Sequence, residues 1–171
     1  MVTIMTVFSL NKYQAELEKI TTANKTIISV NDEAVEDPAT FALEKHLEDF
    51  LVQNWKLTEL GKKYDIYEID GEAIGQQYPS DTGPIDILAI SKDKKILLVV
   101  ELKKGRASDA VVGQIQRYMG YVKDELAEKD QAVRGMIISS EDDLRLRRAL
   151  SVTSNIELML YEVNFKLRSN H

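Results

Sequence analysis

Residues 96–103, Ile-Leu-Leu-Val-Val-Glu-Leu-Lys, constrain the fold of this chain more than any other stretch. Five apolar residues stand in succession, three of them β-branched, and the run is too short for an amphipathic helix. A strand apolar on both faces has to be covered on both faces, so it belongs in the middle of a layered sheet. The run then ends in a carboxylate, Glu101, and an ammonium, Lys103. Two positions apart on a strand, they point to the same face. Either a core strand surfaces here or it carries a charged site.

The flanking segments supply the layers. "FALEKHLEDFLVQN" (41–54) spaces Leu43, Leu47, Phe50 and Leu51 as a helix does. Asp37 before Pro38, or Thr40, can cap its start. "YDIYEIDGEAIGQQYP" and "PIDILAIS" read as strands separated by the turn "SDTG", and "SKDKK" turns into the central run. A helix near 107–129 follows, opened by Ser108 or Asp109, with Val111, Val112, Ile115, Met119, Val122 and Leu126 as its apolar stripe. "VRGMIIS" is a strand, "EDDLRLRRALS" a helix and "IELMLYEVNFKL" (156–167) a last strand. Tightly connected strands followed by strands alternating with helices predict an α/β fold of the mixed α+β kind, a central mixed β-sheet flanked by helices. Residues 40–171 form this domain. Residues 1–39 are a short extension, with a strand near 2–9, a helix near 11–22 and the acidic linker "NDEAVEDPAT".

Composition removes several chemistries. The 171 residues include no cysteine, which excludes thiolate catalysis, disulfides and Cys-based metal sites, and only two histidines, so a His-rich site is not expected. No run approaches the roughly 18 apolar residues of a membrane span, and no signal peptide is evident, so a cytoplasmic protein with no membrane partner is expected. The net charge of −6 argues against a generic basic nucleic-acid coat, yet residues 92–106 hold six basic residues against Asp93 and Glu101.

A hairpin centred near Asp93 sets Asp86 of "GPIDIL" opposite about position 100, beside Glu101. Neighbouring carboxylates repel unless something positive lies between them, and Mg²⁺ accepts one or two carboxylates together with water and phosphate oxygens. Lys103 could offset phosphoryl charge or orient water. The plainer reading is a Glu–Lys pair at a strand end beside an unrelated surface Asp. Gln114 and Tyr118, four apart, share a helix flank that Tyr121 joins, either bordering a cleft or forming an ordinary helix edge. On the first helix Glu44 lies about 80° from the centre of the apolar stripe and Glu48 about 120°. Glu44 is thus the better placed to assist a metal through water, and Glu48 reads equally well as solvated.

Asp86, Glu101-Leu102-Lys103 and Gln114-x-x-x-Tyr118, in this order and spacing, resemble the PD-(D/E)xK nuclease superfamily in its RecB-like form. Within it the chain looks most like the nuclease domain of the NucS/EndoMS endonucleases, over roughly residues 40–168. The resemblance implies a restriction-endonuclease-like core and metal-dependent endonuclease activity on DNA. It further implies Asp86, Glu101 and the Leu102 carbonyl as ligands of Mg²⁺ or Mn²⁺, and Lys103 acting on water. Gln114 and Tyr118 complete the site, Glu44 matches the first-helix carboxylate, and a homodimer is compatible with this reading. Lys104, Arg106 and Arg117 are candidate phosphate contacts or solvated cations; Arg145, Arg147 and Arg148 form a second cluster. Pro84 stands where relatives commonly have a basic residue. Mismatch-cleaving members carry a separate N-terminal domain where about 40 residues precede the nuclease-like part here, so mismatch specificity does not transfer. The alternatives to an enzyme are a non-catalytic or partner-dependent nucleic-acid-binding module on the same scaffold.

Overall fold

The computed structural model describes residues 3–4 and 38–163. The expected helix near 11–22, most of the linker and of the 1–39 extension, and the residues after Val163 lie outside them; Pro38–Thr40 of the linker open a helix, and the strand expected over 156–167 breaks at Tyr161. The elements in chain order begin with β1 (Thr3–Ile4), α1 (Pro38–Gln53) and a 3₁₀ turn (Trp55–Leu57). Four short strands follow: β2 (Tyr64–Ile66), β3 (Glu68–Ile69), β4 (Glu72–Ala73) and β5 (Gln76–Tyr78). Then come β6 (Ile85–Ser91), β7 (Ile96–Arg106) and α2 (Ala110–Tyr121), which runs into a π turn (Val122–Leu126). The chain continues with β8 (Ala132–Glu141), α3 (Leu144–Leu150), β9 (Ile156–Leu160) and β10 (Glu162–Val163).

The main sheet is mixed, in the order β2-β6-β7-β8-β9, with β5 also paired to β6. Strand β7 is its seam, antiparallel to β6 and parallel to β8. As the unbroken apolar run requires, β7 is covered twice. Leu97 and Val99 join Leu88, Ile90, Val111, Ile115 and Met119 in a core beneath α2. Leu98, Val100 and Leu102 join Ile87, Ala89, Leu51 and Trp55 in a second core beneath α1. Asp143 caps α3, its Oδ1 accepting from the N–H groups of Arg145 (2.8 Å) and Leu146 (2.9 Å). No described helix is long and apolar enough to cross a membrane.

The first strand run differs from expectation. Instead of one strand over 64–79 there are four short pieces, because Asp70 (φ 53°) and Gly71 (φ 83°) turn β3 back on β4 as a separate hairpin. The edge of β6 is then served by β2 at one end and β5 at the other. Gly75 lies so close to β6 that a Cβ there would stand 2.1 Å from the Leu88 carbonyl oxygen.

Candidate active site

The β6–β7 hairpin builds the centre of the site. Ile87 pairs with Val100, and one step further along both strands lie Asp86 and Glu101. The turn is centred one half-residue beyond Asp93, with Lys94 in the left-handed region (φ 61°), so Asp86 lies opposite Glu101 itself rather than position 100. Glu101 and Lys103 share the α2 face of the sheet by alternation, whereas beside Asp86 the alternation breaks, since Ile85 as well as Leu88 joins the core beneath α2. The Leu102 N–H donates to Asp86 Oδ2 at 2.8 Å, and Lys103 Nζ stands 3.2 Å from Glu101 Oε1. The Leu102 side chain packs on the opposite face, in the core beneath α1.

Electrostatics strain the pair. Glu101 is 2% exposed and its Oε2 has no hydrogen-bond partner. Burial raises its carboxyl to about 8, the Asp86 charge adds to this, and Lys103 opposes it. Burial likewise pushes Asp86 up to about 7; the Glu48 and Glu44 charges add, while the Leu102 N–H and Lys103 hold it down. A hard divalent cation fits such a donor set. It would supply the partner that Glu101 Oε2 lacks and relieve the mutual repulsion. Among the described residues no three His, Asp or Glu side chains form a ready-made cation cage. Two carboxylates with the remaining positions left to other oxygens is the coordination Mg²⁺ favours.

A cleft of about 290 Å³ opens over these groups, lined by Glu44, Lys45, Glu48, Gln77, Pro84, Asp86, Glu101, Lys103, Gln114 and Tyr118. Gln114 and Tyr118 thus border the sheet site, the Gln114 amide 3.4 Å from the Tyr118 hydroxyl. Tyr121 packs against the core beneath α2 instead. Glu44 also borders the cleft, where its Oε1 accepts from the Lys104 N–H at 2.8 Å. The Lys104, Arg106 and Arg117 side chains are exposed and do not line this cleft. Arg106 pairs with Glu141 (3.7 Å) and Asp143 (3.8 Å) and lines a different, larger cleft of about 370 Å³ with Asp109 and Arg145. That second cleft holds none of the buried carboxylates.

Gln77 is a participant that sequence patterning does not single out, and Glu48, read equally well as solvated from its helical angle, is in fact buried in the cleft. Glu48 is 3% exposed, more deeply buried than Glu44. Helical spacing weighs only apolar neighbours, and what draws Glu48 inward is a pair of amide donors from β5, Gln76 and Gln77. No periodicity in α1 reports those.

Residues 43–170 match the family described as the endonuclease NucS C-terminal domain. Endonuclease NucS of Methanocaldococcus jannaschii is 32% identical over 104 residues, which cover 61% of this chain and 35% of that protein. Endonuclease NucS 1 of Halobacterium salinarum is 31% identical over 87 residues, covering 51% of this chain and 35% of the relative. The matches thus span about a third of the length of these relatives. Among solved structures, a repair endonuclease from Pyrococcus abyssi superposes with a TM-score of 0.52 at 20% identity, over 77% of this chain and 50% of that one. A structure of an EndoMS–dsDNA complex gives 0.51 at 19% identity, over 77% and 49%. These two likenesses speak to the fold.

Proposed function

The chain belongs to the family of the endonuclease NucS C-terminal domain, and from that premise we propose that it is a metal-dependent endonuclease hydrolysing DNA phosphodiester bonds at a two-carboxylate-plus-lysine site of the PD-(D/E)xK type. One observation carries the reading. Two carboxylates on adjacent core strands face each other in a cleft, and a buried oxygen of one, Glu101 Oε2, has no hydrogen-bond partner.

Asp86 and Glu101 would hold the Mg²⁺ or Mn²⁺, joined by the Leu102 carbonyl. The bound cation would lower the pKa of water and offset charge developing on the phosphodiester. Lys103, anchored on Glu101, sets its ammonium beside the carboxylates, where it orients the attacking water or stabilises phosphoryl charge. Gln114 and Tyr118 offer an amide and a hydroxyl on the helix side of the cleft, to orient a carboxylate or a phosphate oxygen. A nucleic acid as the substrate is supported by the family and by the relatives, which are named endonucleases; among nucleic acids DNA is the one proposed.

The test is cleavage of double-stranded, branched and single-stranded DNA with Mg²⁺ or Mn²⁺. Activity lost in Asp86→Ala, Glu101→Ala and Lys103→Ala is the expected result; no cleavage of any form by the wild type with either metal would refute it. A second reading, a nuclease module that relies on another protein or protein part to grip DNA, is favoured by the net charge of −6 and by the engagement of Arg106 with two carboxylates. Cleavage that appears only when such a partner is added distinguishes it.

A further inference from the structure

Strand β5 departs from the alternation of a regular strand. Gln76 pairs with Ile87 and Tyr78 with Ile85, so Gln77 lies opposite Asp86. Ile87 belongs to the core beneath α1 and Ile85, two residues earlier, to the one beneath α2, so the alternation of β6 also breaks at Asp86. Regular pleating would send Gln76 toward α1 and Gln77 toward α2. Gln77 instead adopts φ +49°, a left-handed conformation that is costly for a side chain of this size. The twist lets both amides reach one carboxylate on α1. Gln76 Nε2 donates to Glu48 Oε1 at 2.8 Å, and Gln77 Nε2 donates to Glu48 Oε2.

The Gln77 amide has two hydrogens, and the second is directed to Asp86 Oδ1 at 3.3 Å. The other oxygen of Asp86 is taken by the Leu102 N–H. The Asp86 carboxylate is therefore gripped from both sides, by its partner strand and by an amide that is itself pinned to a buried acid. Gln77 is exposed, so packing does not repay its backbone strain. Strain held at a site by its surroundings, with no packing return, is the pattern expected of a functional constraint.

We infer that Gln77 is a positioning residue: it fixes the rotation of the Asp86 carboxylate by tying it to Glu48 of α1. The inference rests on the reading of Asp86 as a cation ligand. Outer partners of metal ligands typically change affinity about 10–100-fold when removed.

The experiment compares Gln77→Gly and Gln77→Ala. Both remove the amide, but glycine accepts the left-handed backbone that alanine resists. Mn²⁺ affinity is measured by electron paramagnetic resonance on the DNA-free protein, alongside Tm, kcat and KM. If Gln77 positions Asp86, both variants bind Mn²⁺ about 10–100-fold more weakly. They lose kcat with KM for DNA little changed, while Gln77→Gly melts above Gln77→Ala. The inference is overturned if Gln77→Gly binds Mn²⁺ as tightly as the wild type, or if affinity follows Tm rather than the missing amide. A wild type that neither binds Mn²⁺ nor cleaves DNA overturns the nuclease reading itself, and this inference with it.

Discussion

Raising the pH of the metal-free protein should weaken its fold, and the size of the effect follows from the buried carboxylate pair. Asp86 is lifted from 3.8 to about 7 and Glu101 from 4.5 to about 8. Both folded values lie above the unfolded ones, so the folded state holds these protons more tightly. The stability this confers is complete below the unfolded values and is lost as pH rises through about 7 and 8. Between about pH 6 and pH 9 the unfolded carboxylates are already ionised, while Asp86 gives up roughly one pH unit of linkage and Glu101 roughly two. At about 1.4 kcal/mol per unit, and allowing for solvent screening of the half-buried Asp86, the loss is roughly 2–4 kcal/mol. For a chain of this length that lowers Tm by about 5–15 °C. Circular-dichroism melts in EDTA across this range measure it, with an Asp86→Asn/Glu101→Gln double variant as reference. The wild type should fall relative to the variant as pH rises, and Mg²⁺ added at high pH should restore it. Parallel Tm–pH curves for the two proteins would refute the argument that burial and mutual repulsion dominate this site.

Other consequences are equally direct. Lys103→Ala should reduce cleavage about 10²–10³-fold while leaving Mn²⁺ binding measurable, a split that kinetics and metal titration resolve together. Tyr118→Phe removes the hydroxyl beside the Gln114 amide, a weak contact at 3.4 Å; a three- to tenfold loss of kcat, about 1 kcal/mol, is expected in steady-state assays. Gly75→Ala would press a Cβ against the Leu88 carbonyl oxygen at 2.1 Å and the Tyr67 nitrogen at 2.8 Å. It should cost about 3 kcal/mol, read as a lower urea midpoint at unchanged m.

The central elements were legible because their signals are local. The two-sided apolarity of β7 announces a middle strand, and its charged end sits where alternation sets it. The β6–β7 hairpin brings Asp86 within reach of Glu101 under any register near the true one, since only a short turn separates the strands. The edge of the sheet was harder. Tyr64 to Tyr78 reads as one strand by composition, whereas the Asp70-Gly71 turn and the approach of Gly75 to Leu88 divide it. Glu48 was obscure for a related reason. Its burial is compensated by Gln76 and Gln77, which are 28 and 29 residues away, and a pattern within one helix carries no record of donors that distant.

The direction of the strands also bears on how such a protein can change. β7 and β8 run parallel, and β6 starts where they end. The segments 79–84, 107–109 and 142–143 therefore all open at the end of the sheet that holds Asp86 and Glu101. Of these segments only Ala107 joins a hydrophobic core. Lengthening a surface loop costs little in closure entropy, only about 0.6 kcal/mol for each doubling. The chain can thus be remodelled around this cleft by insertions at three neighbouring points, while the hairpin that holds the carboxylates stays the same length.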